Sequence, residues 1–151
     1  MGQDILMMLR QDHEQFKHLL DQLKDSSSDE TDKREEKFSE LLSGIDKHMK
    51  AEEQMFYPKL KSERSSSEED VSEGLEEHHM ARQALKELEG MDKGEERWKP
   101  LLSVAKEMIE HHIAEEQAVL FEHADKGFSD AELEKMGEEF SKIRGPMSTS
   151  G

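Results

Sequence analysis

Ile45-Asp46-Lys47-His48-Met49-Lys50-Ala51-Glu52-Glu53-Gln54-Met55-Phe56 and Ile109-Glu110-His111-His112-Ile113-Ala114-Glu115-Glu116-Gln117-Ala118-Val119-Leu120 follow one pattern, 64 residues apart. In each, apolar residues recur at three- and four-residue intervals, the period of an amphipathic helix. Residues i and i+4 share a helix face, and here a histidine and a glutamate share the apolar one. Ile45, His48, Glu52 and Phe56 form one stripe; Ile109, His112, Glu116 and Leu120 form the other. In so acidic a chain a histidine with an acid four places on also arises by chance, as at His111 and Glu115. The phase against the apolar stripe separates the two pairs from that background. Burying an unpaired carboxylate costs several kcal/mol, so a core that holds both pairs needs compensating charge. Metal ions supply it.

The repeat extends outward. Shifted by 64, Phe38, Leu41, Ile45, Met49, Phe56 and Tyr57 align with Leu102, Ala105, Ile109, Ile113, Leu120 and Phe121. Shifted by 65, Phe16, Leu19, Leu20 and Leu23 align with Ala81, Ala84, Leu85 and Leu88, and His13 aligns with His78. Each half is therefore a helix with one inward histidine followed by a helix with His-x-x-x-Glu. The expected metal ligands are His13, His48, Glu52, His78, His112 and Glu116. His18, His79, His111 and His123 fall off this register and read as surface residues or as neighbours of the ligands. Met7, Met8, Met49, Met55, Met80 and Met108 read as ordinary core filler.

Punctuation completes the fold. A first helix over about residues 4–24 ends at the polar run Asp25–Asp29. Asp32 with Glu35 resembles a capping box and opens the second helix, with a kink or an end expected near Pro58. Ser65-Ser66-Ser67 reads as a loop, and Ser66 with Glu69 as the cap of a third helix that stops at Gly90. A fourth helix runs to Gly127. Ser129-Asp130-Ala131-Glu132 caps a fifth, which ends before Gly145-Pro146. No segment alternates with the period of a strand. The expected fold is all-α: an antiparallel up-down-up-down four-helix bundle with a short additional C-terminal helix docked outside. One domain is expected over 1–144, followed by a flexible tail over 145–151.

Composition sets the function classes. The 151 residues carry a net charge of −16, a surface that repels phosphate backbones and argues against nucleic-acid or anionic-membrane partners. Cysteine is absent, which removes disulfides, thiolate metal sites, iron–sulfur clusters and cysteine nucleophiles. No apolar run approaches the ~20 residues of a membrane span. Met1-Gly2-Gln3-Asp4 lacks the basic start of a secretory leader, so a cytoplasmic location is expected.

His13 in Asp12-His13-Glu14, His48-x-x-x-Glu52-Glu53-x-x-Phe56-Tyr57-Pro58, His78 in Glu77-His78-His79, and His112-x-x-x-Glu116-x-x-x-Leu120-Phe121 together resemble the hemerythrin-like, HHE cation-binding family. The resemblance covers about residues 5–123. It implies two non-haem iron ions, oxo- or hydroxo-bridged, with both glutamates bridging and the histidines as terminal ligands. Ferritin-like diiron proteins differ, pairing lone glutamates with Glu-x-x-His. The function implied is binding of a small diatomic ligand, dioxygen or nitric oxide, for carriage, storage or sensing, with a redox partner. The alternatives are an oxidoreductase that consumes peroxide or nitric oxide, and an iron-storage module.

One position departs from the family pattern. Oxygen-carrying hemerythrins place His-x-x-x-His on the third helix, and this chain has Gly74 and Arg82 on either side of His78. Two six-coordinate irons have about 12 positions; four histidines, two bridging glutamates and a solvent bridge fill about 10. His79, Glu77, Tyr57 and Glu53 are candidates for the remainder. Gly74, a poor mid-helix residue, either opens space beside the metals or marks a kink.

Overall fold

A computed structural model of the chain describes residues 3–63 and 68–147. The expected loop at Ser65–Ser67, the cap at Ser66 and the end of the tail lie outside them. Among the described residues the chain is helical, without strands, in five unbroken helical stretches. They are α1 (Ile5–Asp25); α2 (Thr31–Ala51) running through a π-helical turn, π1 (Glu52–Phe56), into α3 (Tyr57–Glu63); α4 (Glu68–Glu89); α5 (Trp98–Glu115) running through π2 (Glu116–Leu120) into α6 (Phe121–Gly127); and α7 (Asp130–Arg144).

The helix starts show how local chemistry sets the boundaries. Asp4 caps α1 by accepting the Met7 N–H at 2.9 Å. Ser129 and Glu132 form the expected reciprocal box on α7. The box expected from Asp32 and Glu35 does not form. Helix α2 begins at Thr31 with Glu30, not Asp32, at its N-cap, two residues earlier, and Glu30 turns back to accept the Ser27 N–H. Pro58 neither ends nor interrupts its helix. It is the second residue of α3, directly after π1, where the backbone has shifted from i→i−4 to i→i−5 bonding and Tyr57 N–H reaches the Glu52 carbonyl.

Two apolar clusters form the core. One, with Phe16, Leu20, Leu41, Ile45, Leu85, Trp98, Leu102 and Ile109, fills the end toward Trp98. The other, with Ile5, Leu9, Met55, Phe56, Val71, Leu120, Phe121 and Ala124, fills the opposite end. In sequence, each of the six expected ligands falls between residues of the first cluster and residues of the second, so the polar layer lies between them.

Helix α7 does more than dock outside. Leu133, Met136 and Phe140 are buried in the second cluster, and α7 packs on both α1 and α2. A Cβ at Gly137 would stand 2.5 Å from the Gln3 carbonyl oxygen, so only glycine lets α7 approach the start of α1 this closely. After it, Met147 packs partly buried against the first cluster. The methionine stripe is mixed: Met49 and Met55 are core, whereas Met7 and Met80 are about half exposed. Among the described residues no helix is long and apolar enough to cross a membrane.

Candidate metal centre

All six residues singled out by the repeat converge. His13 comes from α1, His48 from α2, His78 from α4 and His112 from α5, while Glu52 and Glu116 are the first residues of π1 and π2. Five of the six are at most 4% exposed, and His112 is partly buried. They make two four-residue groups, His13–His48–Glu52–Glu116 and Glu52–His78–His112–Glu116. Within each group the candidate ligand atoms lie within 4.8 Å of one another. Both glutamates belong to both groups, the arrangement needed for two ions that share bridging carboxylates.

The atoms meet without satisfying one another. His48 Nε2 and His78 Nε2 stand 3.3 and 3.2 Å from Glu52 Oε1, and His13 Nε2 stands 3.1 Å from Glu116 Oε1. Even so, His13 Nε2, both Glu52 oxygens and Glu116 Oε1 are buried without a hydrogen-bond partner. Such atoms are rare in folded proteins and call for a cause. Convergent imidazole and carboxylate donors left unpaired are what a transition-metal ion such as iron, manganese or zinc requires.

The opposite ring nitrogens are all engaged. His13 Nδ1 donates to Gln117 Oε1 at 2.8 Å, His48 Nδ1 to Asp12 Oδ2 at 2.8 Å, His78 Nδ1 to Glu53 Oε2 at 2.7 Å, and His112 Nδ1 to Glu77 Oε1 at 2.6 Å. Each partner is an acceptor, so in the neutral ring Nδ1 carries the proton and Nε2 faces inward free of it, as second partners of metal-bound histidines arrange it. These partners obey the repeat. Asp12 and Glu77 each precede the lone histidine of their half, and Glu53 and Gln117 each follow its glutamate. Arginine fixes two of them: Arg82 grips both oxygens of Glu53, and Arg144 of α7 reaches Asp12.

Charge follows from this packing. Burial alone would lower His48 and His112, but Glu52 with Asp12, and Glu116 with Glu77, outweigh it and raise each to about 10. Burial would raise Glu53, but His78 and Arg82 outweigh it and hold it down to about 2.

The candidates for the missing fifth histidine separate cleanly. Glu53 and Glu77 are occupied with histidine Nδ1 atoms. His79 is exposed beside Gln83. Tyr57 enters the site: its hydroxyl donates to Glu116 Oε2 at 2.5 Å, lies 3.3 Å from His78 Nε2, and its ring stacks on His78. Burial, with the Glu116 and Glu52 charges, holds that hydroxyl well above its usual value, so it stays protonated. Gly74 lies against it: a Cβ there would meet the Tyr57 hydroxyl at 3.4 Å, an ordinary van der Waals contact. Sequence reading missed the two π turns, the first of which leads directly into Tyr57. It also missed Asp12, Gln117, Arg82 and Arg144.

On the apolar side of the centre, a cavity of about 30 Å³ is lined by all four histidines and by Phe16, Ile45, Ala81, Ile109 and Ile113 among others.

Comparison with known proteins bears on the family and the fold. The family model for the hemerythrin HHE cation binding domain matches residues 4–124. A crystal structure of a hemerythrin HHE cation binding domain-containing protein from Mycobacterium kansasii superposes with a TM-score of 0.81 at 22% identity, covering 94% of this chain and 88% of that one. A protein described as a DNA nickase, from Nostoc sp., is 23% identical over 137 residues; the match spans 91% of this chain but only 38% of that relative. The chain belongs to the hemerythrin HHE cation-binding domain family.

Proposed function

We propose that the chain is a diiron protein that binds a small diatomic ligand, dioxygen or nitric oxide, within an antiparallel up-down-up-down bundle. The observation that carries this reading is the pair of ligand groups sharing Glu52 and Glu116, with buried, unpartnered oxygens of both glutamates facing the Nε2 atoms of His13, His48 and His78. His13 and His48 would hold one ion, and His78 and His112 the other. Iron held there would supply the electrons and the open coordination position that ligand capture requires.

The chain's own residues do the rest. The Nδ1 partners fix each imidazole in the tautomer that presents Nε2. The cavity beside the histidines is of the size of one or two water molecules and mostly apolar in its walls, which favours a small uncharged ligand over ions. Tyr57 holds Glu116 by its hydroxyl proton.

Tyr57 also supports a second reading. A buried O–H held protonated beside Glu116 would offer a fixed hydrogen bond to peroxide bound in the site, a contact that its consumption would use. Optical spectra of the iron-loaded, reduced protein before and after air test the main reading: iron-dependent near-ultraviolet bands are expected to appear on oxidation. A spectrum that air leaves unchanged contradicts it. Steady loss of added peroxide favours turnover, and a stable, reversible oxygen adduct without that loss favours carriage.

A further inference from the structure

The six inner residues are sealed except at one point. His13, His48, Glu52, His78 and Glu116 are nearly inaccessible, whereas the His112 side chain is 13% exposed. That exposure coincides with a narrow cleft between α4 and π2, where Asp70, Glu73, Glu77 and Glu115 lead inward to His112 and Glu116. Among the described residues no lysine or arginine lines it, and Asp70 pairs with His123 at 3.0 Å. Glu116, buried and with Oε1 unpartnered, stands at the inner end.

Beside this cleft lies a second, unassigned cluster. Glu77, His111 and Glu115 offer ligand atoms within 4.8 Å of one another, with His111 and Glu115 exposed. The cluster borders a groove of about 330 Å³ lined by Glu73, Glu76, Met80 and Met108 as well. Glu77 joins the two layers: Oε1 accepts from His112 Nδ1 at 2.6 Å, while Oε2 lies 3.8 Å from His111 Nε2.

The geometry points to Glu77, His111 and Glu115 as an outer capture site for ferrous iron, from which the ion passes along the acidic cleft to Glu116 and His112. This rests on the diiron reading. Here His111 and Glu115 govern how fast the inner centre fills, and the inner ligands govern how much iron it holds. An acid-lined mouth on a chain of net charge −16 concentrates divalent cations and raises their on-rate.

The test mixes metal-free protein with ferrous iron without oxygen, then adds a strong chelator at increasing times and counts the iron that stays protected. For the variant H111A/E115Q, both exposed positions, the rate is expected to fall about tenfold while the final iron content stays that of the parent. Glu134→Gln, which removes one exposed charge from α7, is expected to leave the rate unchanged. An unaltered rate in H111A/E115Q overturns the proposal, as does equal slowing in Glu134→Gln, which would make the effect one of overall charge. Failure of the diiron reading shows separately, in the amplitude: a parent protein that protects no iron at any time loses both.

Discussion

A Cβ on Gly74 would stand 3.4 Å from the Tyr57 hydroxyl and 3.7 Å from Leu120, in ordinary contact rather than collision. The glycine one turn before His78 thus sits against a tyrosine on another helix, within the continuous α4. Gly74→Ala is expected to fit and to remove a mid-helix glycine, stabilising the protein by up to ~1 kcal/mol and raising Tm by roughly 2–4 °C. Gly74→Leu must displace Tyr57 and is expected to lower it. Thermal unfolding of both variants checks this, and a lower Tm for the alanine variant would contradict the packing.

Tyr57→Phe keeps the ring and removes the donor to Glu116 Oε2. A buried carboxylate oxygen then loses its partner, which costs about 1–3 kcal/mol. Urea unfolding of the metal-free protein should show this loss. No change would mean that Tyr57 does not serve Glu116.

The doubled histidines provide a direct contrast. His78→Ala and His112→Ala are each expected to lose at least one metal ion per chain. His79→Ala and His111→Ala should keep the full content, since both side chains are exposed. Asp12→Asn, Glu53→Gln and Glu77→Gln should keep the ligands but weaken metal affinity by roughly 10–100-fold. Iron content after dialysis against graded chelator measures all of these. Retention in His112→Ala together with loss in His111→Ala would shift the helix register by one residue.

Protons and metal compete for the same nitrogens. In the metal-free protein His48 and His112 titrate at about 10, far above the usual histidine value of 6.5. A raised value means that the stability these groups contribute is complete below about pH 6.5 and is lost as pH rises through 10. Glu53, held down to about 2 from 4.5, contributes in the opposite sense: its share is present above 4.5 and is lost as pH falls through 2. Metal binding at pH 7 must expel the histidine protons, so about two protons per chain are expected from His48 and His112, with affinity rising with pH. A pH indicator in weak buffer counts them, and no release on metal addition would contradict the ligand assignment.

The six converging residues were legible because burial and helical period act on the same positions. A histidine or glutamate in phase with isoleucine, leucine and phenylalanine has to point inward, whatever the helix does at its ends. The π turns at Glu52 and Glu116 were not legible, since one shifted hydrogen bond leaves the apolar pattern intact. Nor were the histidine partners: in a chain with 37 acidic residues, no single acid stands out before the rings are placed. The repeat did contain them, pairing Asp12 with Glu77 and Glu53 with Gln117. The role of α7 escaped because Arg144 meets Asp12 across almost the whole length of the chain.

Elemental analysis of protein produced with ample iron tests the central claim most directly. The account predicts about two irons per chain, set by the two ligand groups that share Glu52 and Glu116. One zinc per chain with no iron would contradict it.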